Sequence, residues 1–167
     1  MYGADVSGLE QVVLDGLKAR GPTLGTAESC TGGLIAKRLT DLPGASAAFK
    51  GGVVSYTNEV KAGVLGVPRT LLDEKGAVCA EVAKAMAEGA RRTLDCDLAV
   101  SVTGVAGPDS DERDNPVGLV YVALAAPDGC RVKKLNLTSL AARRDRTRNL
   151  AAHHALDMAR RWLEKKR

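Results

Sequence analysis

Apolar positions recur along this chain with two periods. Val6, Leu9, Val12, Val13 and Leu17 fall on one stripe of a helix over residues 6–19, and Gly21-Pro22 ends it. Residues 23–28 (TLGTAE) read as a short strand. ESCTGG follows at 28–33, and LIAKRLTDL then gives an apolar-faced helix closed by Pro43-Gly44. GGVVSYT at 51–57 predicts a strand and NEVKAGVLG a short helix. Val82, Met86, Ala90 and Leu94 recur every four residues in a helix over 80–94. LAVSVT at 98–103 is nearly continuous in apolar character, as in a strand buried on both faces. Two more strands, 117–125 and 130–138, flank a Pro127-Asp128-Gly129 turn, and a basic amphipathic helix runs from about 144.

Strands interleaved with helices and one late hairpin predict an α/β protein. The expected architecture is a three-layer α/β/α single domain, residues 1–167, with a mixed sheet. No repeat or long linker divides the chain, and 167 residues suffice for one core. In open α/β sheets, sites form where strands run out into loops. ESCTGG and TGVAGP (103–108) are the two loops of that kind.

Composition narrows the function. The chain is 45% apolar and 26% charged, as in ordinary globular proteins. Phe49 and Trp162 are the only Phe and Trp, too little for a base-stacking platform, which disfavours single-strand nucleic-acid binding. No apolar run nears the ~20 residues of a membrane span. The first residues carry acids where a signal peptide would carry Lys or Arg, so the expected location is cytoplasmic. Cys30, Cys79, Cys96 and Cys130 form no C-x-x-C pair and read as reduced thiols. Residues 1–130 carry 12 basic and 17 acidic side chains, whereas residues 131–167 carry 12 and 3. The tail Lys165, Lys166 and Arg167 reads as solvated, but arginines near 143–148 are candidates to complete an anion site.

The candidate chemistry lies in three stretches. ESCTGG offers hydroxyls, a thiol and two glycines at a strand-to-helix turn, where free N–H groups and the helix dipole favour an anion; Ser29 or Thr31 could equally be a simple N-cap. TGVAGP supplies a second loop of the same character. Residues 43–61 bring Ser46, Tyr56 and Lys61. A serine needs a base to become a nucleophile. The only histidines, His153 and His154, are neighbours in a helix and point about 100° apart. No H-E-x-x-H or Cys/His cluster suggests a metal. A Ser-Lys arrangement is the natural choice without histidine, provided burial or positive charge lowers the lysine from its usual ~10.4.

TAESCTGGLIAKRLTDLPGAS, GGVVSYTNEVKAGVLGV and SVTGVAGP followed by PVGLVYVAL resemble together the C-terminal domain of the CinA (competence/damage-inducible) family. Its enzymatic members are nicotinamide-nucleotide amidohydrolases. The resemblance runs through about residues 5–125 and weakens toward 160. It implies hydrolysis of nicotinamide mononucleotide to nicotinic acid mononucleotide and ammonia, without metal or cofactor, in pyridine-nucleotide recycling. It further implies an α/β/α fold, a homodimer, and a stand-alone deamidase lacking the second domain of longer members. It places Ser29, Ser46, Tyr56, Lys61 and Thr103 in the site. On that basis Ser46 is the expected nucleophile, Lys61 its base and Tyr56 the group that orients Lys61. Ser29, Thr31, Gly32 and Gly33 would grip phosphate or ribose, with Thr103 and Gly104 across the cleft. Ser29 is the rival nucleophile, and Cys30 a lesser one. Two departures stand out: DSDERDN replaces a glycine-rich stretch after the G-x-A-G-P turn, and ARRDRTR erodes a G-D-R-x-x-[IV]-R signature. Arg144 and Arg148 align with its arginines, and Arg144 could meet the phosphate, with Arg143 and Arg146 close by. A catalytically silent domain that binds a nucleotide or a partner is the alternative. Nucleic-acid binding through the basic C-terminus is a third reading.

Overall fold

A computed structural model describes residues 8–138 and 143–165. Val6 of the predicted first stripe, and Lys166 and Arg167 of the tail, lie outside them. The elements run α1 (Leu9–Arg20), β1 (Leu24–Glu28), α2 (Leu34–Thr40), a 3-10 turn (Ala45–Ala47), β2 (Phe49–Val54), α3 (Asn58–Leu65), α4 (Arg69–Lys75), α5 (Ala80–Leu94), β3 (Leu98–Gly104), β4 (Leu119–Ala126), β5 (Gly129–Asn136) and α6 (Arg144–Lys165). The five strands form one sheet in the order β2-β1-β3-β4-β5. β2, β1 and β3 are parallel, and β4 and β5 add an antiparallel hairpin. The expected three-layer α/β/α domain with a mixed sheet is what folds. None of the helices is long and apolar enough to cross a membrane, among the described residues.

The alternation along β3 explains the layers. Leu98, Val100 and Val102 join the larger core with α1, α2 and α6, where Leu14, Leu17, Ile35 and Leu156 are fully covered. The intervening residues are small: Ala99 packs with α3 to α5, and Ser101 donates to the Ala83 carbonyl of α5 at 2.6 Å. Ala123 and Ala125 of β4 meet Ala83 and Ala87 on the same face. Large residues fill one interlayer space and small ones draw α5 close on the other. The helix α4 has no strong periodic signal in the sequence. It forms as a seven-residue helix of about two turns after Pro68, and only Leu72 of it is buried.

α3 approaches α5 still more closely. A Cβ on Gly89 would lie 2.0 Å from the Leu65 carbonyl oxygen, so only glycine fits there. α3 begins at an N-cap, Thr57, whose hydroxyl accepts from the Val60 N–H. It ends at Gly66, left-handed at φ 68°. The two caps and the α5 contact fix the register of α3, and with it the direction of Lys61.

Candidate active site

The C-terminal ends of the three parallel strands open into one cleft of about 950 Å³. β1 lies between β2 and β3, so the cleft stands where successive crossovers diverge, the usual place for a site in such sheets. Ser29 follows β1, and Lys61 projects from the first turns of α3. Lys61 is 1% exposed, the largest fully buried side chain among the described residues. Its Nζ lies 3.0 Å from Ser29 Oγ and donates to the Ser55 carbonyl at 2.8 Å. Both partners are neutral oxygens. Burial outweighs the opposing pull of nearby groups such as Glu59, and lowers the Lys61 pKa from 10.5 to about 8. A lysine in that state gives up its proton near neutrality and can take one from a serine.

The expected pairing of Lys61 with Ser46 does not form. Ser46 sits exposed in the 3-10 turn that precedes β2, while Lys61 follows the other end of that strand. About 20 Å of extended chain, six residues, separates the two ends of β2. Ser46 therefore lies beside the N-terminal end of the parallel strands, and the cleft lies at the C-terminal end. Cys30 lines the cleft, but burial pushes its thiol up to about 12, which leaves little thiolate.

The glycine turn also differs from the expected phosphate cradle. The Glu28 carboxylate accepts from the N–H groups of Gly33 (3.1 Å), Ile35 (3.0 Å) and Ala36 (2.9 Å). The start of α2 is thus satisfied by a buried internal anion, and the N–H of Gly32 is turned onto the Ser29 carbonyl. Gly32 (φ 58°) and Gly33 (φ 93°) adopt left-handed backbone that shapes the turn rather than the cleft wall. Thr31 is fully buried behind them. Across the cleft, Thr103 and Gly104 do form a wall, with the Thr103 hydroxyl committed to the Ala77 carbonyl at 2.7 Å.

Tyr56 lines the mouth at 57% exposure and meets Arg144 instead of Lys61. Arg144 Nη2 donates to the Tyr56 hydroxyl at 2.9 Å, and Nη1 donates to the Gly107 carbonyl. Arg144 thereby spans the two loops at the cleft entrance. The charged 109–115 loop is ordered by its own residues. Asp111 accepts from the Arg113 and Asn115 N–H groups, and Arg113 donates to the Asp73 and Glu74 carbonyls at the end of α4. Arg148 donates to the carbonyls of Cys30 (3.1 Å) and Thr31 (2.8 Å). Arg143 pairs with Asp145 and does not line the cleft. Among the described residues no group of three or more His, Cys, Asp or Glu is arranged to hold a metal.

A family model described as the CinA C-terminal domain matches residues 6–163. The chain belongs to that family. It is 56% identical over 146 residues to a CinA-like protein of Geobacter sulfurreducens, an alignment covering 87% of this chain and 35% of that protein. It is 48% identical over 163 residues to a CinA-like protein of Desulfovibrio desulfuricans, covering 98% and 38%. The chain thus spans well under half the length of these curated relatives. Among solved structures, the competence/damage inducible protein CihA from Agrobacterium tumefaciens superposes with a TM-score of 0.90 at 36% identity, over 98% of each chain. The competence damage-inducible protein A (ComA) from Klebsiella pneumoniae gives 0.90 at 31%, over 95% of this chain and 97% of that one. This CinA domain accordingly shares the fold of these structures over nearly its whole length.

Three contributors escaped the sequence reading. Glu28 was visible only as the last residue of a strand, five to eight positions from the N–H groups it caps. Ser55 acts through its carbonyl, which no side-chain pattern signals. Arg148 carried a signal, the second arginine of the eroded signature, but that pattern pointed to a ligand and not to the Cys30 and Thr31 carbonyls.

Proposed function

We propose that this chain is an amidohydrolase that converts nicotinamide mononucleotide and water to nicotinic acid mononucleotide and ammonia, with Ser29 as nucleophile and Lys61 as base. The observation that carries the reading is the 3.0 Å contact between Lys61 Nζ and Ser29 Oγ in a buried corner of the cleft. The substrate comes from the family resemblance, and with it a homodimer and a cytoplasmic role in pyridine-nucleotide recycling.

The chemistry follows from the contact. Neutral Lys61 removes the Ser29 hydroxyl proton as Oγ bonds to the amide carbon. The C=O π pair moves to oxygen, and the candidate donors to it are the N–H groups of the turn after Ser29, at Cys30 and Thr31, which have no backbone acceptor among the described residues. The ammonium of Lys61 then returns its proton to the amide nitrogen as the C–N bond breaks and ammonia leaves. Water attacks the resulting ester, losing a proton to Lys61, and Lys61 returns that proton to Ser29 Oγ as the C–O bond to Ser29 breaks and the carboxylic acid leaves. Arg144 at the mouth is the candidate partner of the phosphate, exchanging the Gly107 carbonyl for it.

The test is ammonia release from nicotinamide mononucleotide with chelator present. Wild type should turn over, Ser29→Ala and Lys61→Met should lose at least about 10³-fold in kcat, and Ser46→Ala should stay within about twofold because it lies away from the cleft. Full activity in Ser29→Ala would remove the assignment. Tight nucleotide binding without turnover by wild type would favour a catalytically silent binding domain.

A further inference from the structure

Arg148 forks onto two successive backbone carbonyls, as Arg113 does at the end of α4, but the pair it holds belongs to the turn that follows Ser29. Its Nε donates to the Cys30 carbonyl at 3.1 Å and its Nη2 to the Thr31 carbonyl at 2.8 Å. These are the first two carbonyls after Ser29. Arg148 is partly buried in α6 and is absent from the cleft lining, whereas Ser29 and Cys30 line it. The guanidinium therefore grips the turn from the side away from the ligand space.

Peptide geometry makes that grip consequential. In a planar trans peptide the C=O and N–H point in opposite directions. The peptide whose carbonyl belongs to Cys30 carries the Thr31 N–H, so Arg148 turns that N–H away from α6. The peptide whose carbonyl belongs to Thr31 carries the Gly32 N–H, which donates to the Ser29 carbonyl at 3.0 Å. A chain of hydrogen bonds thus runs from the Arg148 cation through the Thr31–Gly32 peptide to the backbone of Ser29. A cation on a carbonyl also polarises the same peptide and strengthens its N–H as a donor. The fork matters, because two successive carbonyls need two donors at fixed spacing, which a lysine does not offer. Gly32 supplies the turn's left-handed backbone, φ 58°, which a non-glycine residue rarely adopts; space is not the reason, since a Cβ there would meet Arg148 Nη2 at 3.4 Å, an ordinary contact.

We propose that Arg148 is a positioning residue for the nucleophile turn, setting the two peptide planes that orient Ser29 and its oxyanion donor, and that it does not bind the substrate phosphate. The inference rests on the Ser29–Lys61 amidohydrolase reading for its catalytic consequence, though not for its structural one.

The experiment compares wild type, Arg148→Lys and Arg148→Ala. Ammonia release from nicotinamide mononucleotide should show kcat lowered about 10²-fold in Arg148→Ala with KM moved less than about threefold, the signature of misplacement rather than lost binding. Guanidinium ion added to Arg148→Ala should restore part of kcat, and methylammonium should not. Amide hydrogen exchange should show the Gly32 N–H exchanging at least about tenfold faster in Arg148→Ala, with other core amides of β1 unchanged. Arg148→Lys serves where the alanine variant does not fold; it should show the same direction in both readouts at smaller amplitude. A loss confined to KM, a kcat within about twofold of wild type, or unchanged Gly32 exchange would each overturn the proposal. Absence of ammonia release by wild type would end the amidohydrolase reading, and the Gly32 comparison would then decide the role of Arg148 alone.

Discussion

The state of the Lys61 amine should govern the rate, and pH is the direct perturbation. Burial brings its pKa from 10.5 to about 8. At pH 7 roughly one molecule in ten then holds the neutral amine, against about one in three thousand for an unperturbed lysine. The buried site thus raises the competent fraction by roughly 300-fold, equivalent to about 3 kcal/mol. Initial rates of ammonia release at subsaturating substrate, measured from about pH 6 to 10 at constant ionic strength, should rise close to tenfold per unit and level off near pH 8. Glu59 favours the charged amine, so Glu59→Gln should move the midpoint to lower pH. Labelling of Lys61 by acetic anhydride, followed by mass spectrometry across the same range, reads the amine without relying on turnover. A flat profile, a midpoint near the ordinary lysine value, or a shift to higher pH in Glu59→Gln would refute the reasoning.

The same burial should be visible in stability. Between the unfolded value of 10.5 and the folded value of about 8, the unfolded chain binds the extra proton, so stability rises with pH across that window and is lost as pH falls through it. Urea unfolding at pH 7 and pH 10 should show wild type gaining roughly 2–3 kcal/mol on Lys61→Met between the two. Glu28→Gln should cost about 2 kcal/mol by urea unfolding, because an amide cannot accept from all three N–H groups that the carboxylate satisfies. Gly89→Ala should cost about 3 kcal/mol or more and lower kcat as well, since the Leu65 carbonyl must retreat and takes α3 and Lys61 with it.

Much of the fold was legible because it is periodic. The stripe through Val13 and Leu17, the four-residue spacing of Val82, Met86 and Ala90, and the apolar run of β3 each report a buried face that only one local structure can supply. The Pro127-Asp128-Gly129 turn marked the hairpin whose ends pair at Ala126 and Gly129. α4 escaped because seven residues with one buried side chain leave no period to detect.

The candidate site was legible in part. Lys61 and the loop segments at Ser29 and Thr103 stood out by residue type, and the structure gathers them around one cleft. Which serine meets the lysine did not stand out, because Ser46 is nearer to Lys61 along the chain than Ser29 is. A strand reverses that order: it carries the backbone across the whole sheet between Ser46 and Lys61, while parallel pairing brings the end of β1 beside the end of β2. Nor could sequence show that the helix start holds Glu28, or that Arg148 grips carbonyls from behind, since both depend on where buried groups find partners. The sequence by itself determined the elements other than α4, the three layers and the residue types available for chemistry. The lowered lysine pKa, the pairing with Ser29 and the filling of the anion cradle were decided only in three dimensions, because desolvation and hydrogen bonding depend on distance through space.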